Sequence, residues 1–223
     1  MSFPIGPSAL IGLIATLAVG KIVQQLAWSP SEREQLIRLW EDHLAFEFDP
    51  ARKSTTHTMS TMTGSPSVTH VPTMVGGSGK ELLSYFYEHH FIFQNPPLDM
   101  VPMKRTVSVE DGSLVDEMVV SLTHSAEVDW LLPGVPPTGL RIQIPLVASV
   151  SFGKEGGSWK LASERIYWDQ ASVLVQVGLL AKEGLPVSGQ EQATLVLGGP
   201  AAPVYNAMLQ ESRYRPPTPT ASP

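Results

Sequence analysis

Few side chains in this chain are able to do chemistry: it has six histidines and no cysteine. Without cysteine there is no disulfide, no thiolate metal site and no thiol nucleophile, so acid/base work falls to His, Asp, Glu and Tyr. His124 stands out by phase. In the run 113–124, Asp116, Met118, Val120, Leu122 and His124 share one parity, so a histidine and an aspartate lie on an otherwise apolar face. A histidine in that position is either a hydrogen-bonded core residue or a group serving a cavity, and both readings stand. Asp169 follows Tyr167 and Trp168 at the end of an extended run. Two aromatic walls would disfavour its charged form by desolvation, which suits proton transfer near neutral pH. It also directly precedes the helical-looking stretch 170–180, where an aspartate caps. His70, just before Val71-Pro72, ends a short strand, where a histidine can fix the loop by a hydrogen bond.

Several sharper-looking signals fail. Gly76-Gly-Ser-Gly-Lys80 is not a phosphate loop, because Met74 stands where the motif needs its first glycine. Glu88-His89-His90 lacks the spacing of a zinc-binding helix and reads as a helix end. There is no Gly-x-Ser-x-Gly elbow. Met59, Met62, Met74 and Met103 are expected as core filler. No cofactor and no metal are expected.

The elements that must position these residues change period along the chain. Ser29-Pro30-Ser31-Glu32 reads as a capping box, and Leu36, Ile37, Trp40 and Leu44 then recur at helical spacing to about Phe46, before Asp49-Pro50 breaks the helix. A short polar helix is expected over 55–61. Ser78-Gly79-Lys80-Glu81 reads as a second capping box, opening a helix to His90. From there the period becomes two, giving extended runs 101–109, 113–124, 139–152 and 159–168. In 139–152 the buried face is Leu140, Ile142, Ile144, Leu146, Ala148, Val150 and Phe152. In 159–168 neither parity is cleanly apolar, so the pattern does not say whether Glu164 or Tyr167 looks inward. The Pro/Gly-rich stretch around Trp130 reads as a rigid loop with the indole as an apolar wall. A last short helix starts near Ser188. Helices first and hairpin-linked strands after make an α+β domain over 29–197, with a curved antiparallel sheet wrapped on the early helices and a pocket between them.

Composition narrows the partners. A net charge of −6 with 15 scattered Lys and Arg argues against nucleic acid. The first twenty residues carry no side-chain charge, and 8–20 is an apolar run short of a full span. The segment 1–28 therefore reads as a weak signal-anchor, an interfacial helix or a packed helix, in an intracellular protein with membrane contact through this segment as one reading. The Pro-rich stretch 198–223 reads as a disordered tail.

Several of these stretches together resemble one family: His70-Val-Pro-Thr-Met-Val-Gly-Gly77, Phe91-Ile-Phe-Gln-Asn-Pro96, Val115-Asp-Glu117 with Thr123-His124, the loop Asp129 to Gly139, and Ile166-Tyr-Trp-Asp-Gln170. They are similar to the SnoaL-like polyketide cyclase branch of the nuclear transport factor 2-like superfamily, in particular to fungal members, some of which are attached to dienelactone hydrolase domains. The resemblance implies a cone-shaped domain, an aspartate acting as general acid/base at Asp169, a pocket histidine at His70, and no cofactor. It also implies a small-molecule substrate undergoing cyclisation, isomerisation or dehydration. On this reading Asp169 and His124 are the acid/base pair, and His70, Trp130, Tyr167, Glu164, Asp116 and Met118 surround the substrate. A homodimer is expected through the outward face of 139–152, where Pro145, Val147, Ser149 and Ser151 are exposed. The competing readings are a non-catalytic binding or dimerisation module and a membrane-tethered accessory protein.

Overall fold

A computed structural model describes residues 30–198. The expectations for the apolar N-terminal segment and the Pro-rich tail fall on residues outside that range. Helix α1 (Glu32–Phe48) is capped by Ser31, whose Oγ accepts from the Glu34 backbone N–H while the Glu34 carboxylate accepts from the Ser31 N–H at 2.8 Å. The capping box is real but lies two residues later than the Ser29 start. The helix stops at Asp49, and its buried stripe is Leu36, Trp40, His43 and Glu47. The last two are polar. Helix α2 (Thr55–Ser60) follows, with Ser54 as cap.

Strands β1 (Met62–His70) and β2 (Val75–Ser78) form a hairpin leading into α3 (Lys80–Phe86), which runs on as a π-helical turn over Tyr87–Phe91. The cap of α3 is Gly79, with no side-chain hydrogen bond, so the box expected at Ser78 does not form. Strands β3 (Leu98–Ser108), β4 (Ser113–Thr123), β5 (Arg141–Glu155) and β6 (Ser158–Tyr167) then build the body of the sheet. Helices α4 (Gln170–Gln176) and α5 (Glu191–Gly198) close the described chain. The sheet runs β2-β1-β6-β5-β4-β3. It is curved and unclosed, with α1 and α3 on its concave side. The four expected strands are all antiparallel neighbours. Strand β1, which the sequence pattern suggested only at its end, joins β6 in parallel.

The ambiguity of β6 has a physical cause. Ser151 pairs with Ser163 but Phe152 pairs with Leu161, so Ala162 is an extra residue in the ladder. A bulge of this kind turns the chain over by one position. Leu161 is therefore buried on one side of it, and Glu164 and Ile166 on the other, although their parities differ. On β5 the inward residues from Ile142 to Phe152 are buried as expected, but Leu140 precedes the strand and is 46% exposed. The outward face of β5 is partly covered by the chain itself. Helix α5 packs on β4 and β5, Gln190 donates to Gln143 Oε1 at 3.0 Å, and Val119 of β4 and Ala193 of α5 are both buried.

Candidate functional site

A cavity of about 50 Å³ lies between α1 and the concave face of the sheet. Trp40, Leu44 and Phe48 from α1 wall it on one side, and Met118, Leu146 and Ile166 from the sheet on the other. Three polar side chains reach this apolar lining: Glu47 from α1, Glu164 from β6 and His70 from β1.

Two of them meet His43. Its Nε2 lies 3.0 Å from Glu47 Oε1, one helical turn along α1, and 2.9 Å from Glu164 Oε1. Its Nδ1 is 2.6 Å from Thr61 Oγ, whose own hydroxyl donates to the Thr58 carbonyl at 2.6 Å. Because that hydroxyl proton is spent on Thr58, Thr61 Oγ accepts from His43, and Nδ1 carries a proton. An unprotonated Nε2 would then face two carboxylate oxygens lone pair to lone pair, so the arrangement calls for an imidazolium. Burial opposes a charge on His43. The pull of Glu164 and Glu47 and their hydrogen bonds outweigh it and raise its pKa to about 10. Burial also raises the pKa of the Glu47 carboxyl against the counter-pull of His43. The Tyr87 hydroxyl, 3.3 Å from Nε2, is pushed well above its ordinary value by burial and by the two carboxylates. Trp40 stacks on the imidazole, centroids 5.9 Å apart and planes 14° from parallel. Among the described residues, His43, Glu47 and Glu164 are the one group whose donor atoms converge closely enough to hold a cation. Their contacts are hydrogen-bond distances, and the imidazolium proton already occupies the centre.

The sequence-nominated residues divide sharply. His70, Trp130, Glu164 and Met118 line the cavity. Asp116 sits behind the wall: its Oδ2 accepts from Trp40 Nε1 and from Arg105 Nη2, both at 2.7 Å, and so fixes the indole that covers His43. Tyr167 lies past the bulge on the outward parity and is 41% exposed. Asp169 caps α4. Its Oδ1 accepts from the Ala171 N–H at 2.9 Å and its Oδ2 from Gln192 Nε2 at 2.5 Å. His124 is buried one residue beyond β4, where Nδ1 accepts from the Thr138 N–H at 3.2 Å and pins the root of the 124–140 loop. Neither Asp169 nor His124 lines the cavity, so the expected pair is not assembled there. The residues that sequence reasoning missed are His43, Glu47, Thr61 and Tyr87. A signal was present, since His43 and Glu47 continue the helical spacing of Leu36 and Trp40.

No family model and no curated protein matches this chain. Solved structures do. A candidate SnoaL-like polyketide cyclase from Jannaschia sp. CCS1 is 20% identical, covering 69% of this chain and 98% of its own, with a TM-score of 0.49. TsrD from Streptomyces laurentii is 18% identical over 68% of this chain and 100% of its own, TM-score 0.49. A protein of ketosteroid isomerase-like fold from Catenulispora acidiphila is 15% identical over 66% of this chain and 94% of its own, TM-score 0.44. At such identities these similarities carry no chemistry to this chain. The resemblance to fungal, dienelactone hydrolase-linked proteins rests on the sequence motifs alone. No helix among the described residues is long and apolar enough to cross a membrane.

Proposed function

We propose that this chain is a cofactor-independent enzyme of natural-product tailoring. It moves a proton on a small uncharged organic molecule held in the cavity, in a cyclisation, isomerisation or dehydration. The observation that carries this reading is the buried His43–Glu47–Glu164 trio, two of whose members open onto an apolar cavity. Two carboxylates and one imidazolium would leave a net negative charge inside the protein. Burial makes Glu47 the member that takes up a proton, and the trio is then neutral. That leaves a proton donor, Glu47, and a carboxylate acceptor, Glu164, on either side of the same imidazolium. A protonated carboxyl beside an ionised one is what a site needs to run acid and base steps together. On this reading Glu164 takes the substrate proton, Glu47 returns one, and the apolar walls keep water from competing. Proton transfer thereby moves from Asp169 and His124 to residues on α1 and β6.

Deuterium wash-in at the α-carbon of a small cyclic ketone such as cyclohex-2-enone, followed by NMR, tests this reading. The wild-type protein is expected to accelerate exchange over buffer, and Glu164→Gln to slow it by about 100-fold, the scale of a lost general base. Exchange by Glu164→Gln at the wild-type rate overturns the assignment. The alternative is a non-catalytic binding module; either must widen the cavity beyond its about 50 Å³, since a benzene-sized ligand needs roughly 150 Å³. Saturable ketone binding without any exchange would decide for that alternative.

A further inference from the structure

His70 is a second polar feature of the cavity, and its hydrogen-bonding is unusually constrained. It ends β1, is 3% exposed, and places Nδ1 3.2 Å from the Val75 carbonyl oxygen across the hairpin. A carbonyl only accepts, so the proton is on Nδ1 and Nε2 keeps a lone pair. The ring is surrounded by Phe86, Phe91, Trp130 and Trp168, with centroids 5.3 to 6.0 Å away. Neither indole can satisfy Nε2. Trp130 Nε1 donates to Asn95 Oδ1 and Trp168 Nε1 to Gln170 Oε1, each at 2.6 Å. Among the described residues nothing donates to His70 Nε2, while the side chain lines the cavity. An apolar cage disfavours the charged ring, consistent with burial lowering its pKa to about 4 against the Val75 bond. The result is a neutral ring with one free acceptor atom in an aromatic pocket.

We propose that His70 Nε2 is an acceptor subsite for a ligand hydroxyl. The preferred ligand is then an uncharged ring molecule bearing an alcohol, enol or phenol O–H. A ketone, ether or carboxylate oxygen there would face Nε2 acceptor to acceptor, and a hydrocarbon would leave the lone pair unmet. The register sets the spacing. Val68 pairs with Glu164 and His70 with Ile166 on parallel strands, so His70 stands two residues beyond Glu164, about 6.6 Å along the sheet. A single substituted ring, on widening the cavity, spans that step with its hydroxyl at His70 and its reacting carbon at Glu164. This subsite deepens the enzyme reading, but its test reads binding alone, so it can fail or stand separately from the exchange experiment.

The test compares phenol with toluene as probes, with affinities from protein-observed NMR titration. Wild type is expected to bind phenol about tenfold more tightly than toluene, the scale of one net hydrogen bond. His70→Phe is expected to lose that preference while still binding toluene. A second readout needs no variant: the 15N resonance of His70 Nε2 should report an unprotonated nitrogen in the free protein and move as phenol is added. Equal affinities in wild type, a preference that survives His70→Phe, an Nε2 that already carries the proton, or no phenol binding at millimolar concentration would each overturn the proposal.

Discussion

His43 carries its charge because three neighbours, from α1, β6 and the end of α2, agree about where its protons sit. Thr61, following α2, fixes Nδ1–H, Glu47 and Glu164 hold Nε2–H from α1 and β6, and Trp40 covers the ring. Thr61→Val keeps the shape of that contact but removes its acceptor, leaving a buried N–H unmet. The expected loss is about 1–3 kcal/mol, read from the denaturant midpoint. A midpoint within a few tenths of a kcal/mol of wild type would show that Thr61 does not set the tautomer. Asp169 gives the contrasting case. Asn can still accept from the Ala171 N–H, so Asp169→Asn should leave both stability and ketone exchange near wild type, while Asp169→Ala should lose about 1 kcal/mol of stability. If the Asn variant instead loses exchange about 100-fold, the acid/base role returns to Asp169. The sequence made Asp169 attractive through its aromatic neighbours, but adjacency along a strand does not place a side chain in a cavity. His43 and Glu47 were passed over for the opposite reason. Polar residues on an apolar helical stripe look like breaks in the pattern until the partner strand is known.

At the scale of elements, alternation was legible wherever a strand kept one register. Strands β3, β4 and β5 were recognisable as extended runs, and the inward face of β5 could be read residue by residue. The side Glu164 faces could not, because the bulge at Ala162 exchanges the two parities within one strand. Strand β1 was hidden for a related reason. Gly64-Ser65-Pro66 interrupts it, and its pairing with β6 shifts between Met62 and Ser67. The β1–β2 hairpin that holds His70 depends on close backbone approach at Gly76. This residue has a φ of 150°, and a Cβ there would come within 2.0 Å of the Val68 carbonyl oxygen. Gly76→Ala must therefore push the two strands apart and weaken the Val75 carbonyl contact to His70. We expect it to cost about 3 kcal/mol or more, from clash and strain together. Gly156→Ala, at φ 58° with nothing near its Cβ, should cost only about 1–2 kcal/mol. Equal midpoints for the two variants would mean the hairpin is looser than its geometry indicates.

Across the whole molecule, two buried histidines pull the pH dependence of stability in opposite directions. The folded-state pKa of His43 is raised from the ordinary 6.5 to about 10. Its contribution is fully present below pH 6.5 and is lost as pH rises through 10, because the folded state then no longer holds more protons than the unfolded one. His70 is lowered from 6.5 to about 4, so its contribution is present above pH 6.5 and is lost as pH falls through 4. Glu47, raised by burial, adds to the alkaline loss from its own unfolded value upward. Comparing each variant with wild type across pH cancels the shared groups that do not touch the replaced histidine. The wild-type advantage over His70→Phe should shrink by on the order of 3 kcal/mol between pH 6.5 and pH 4 and stay flat above pH 7. The advantage over His43→Gln should instead shrink by several kcal/mol, roughly, between pH 6.5 and pH 10. Urea midpoints at half-unit pH steps would measure both curves. If the His43→Gln difference does not change between pH 6.5 and pH 10, then His43 is not an imidazolium, and the neutral trio on which the proton-transfer reading depends does not exist.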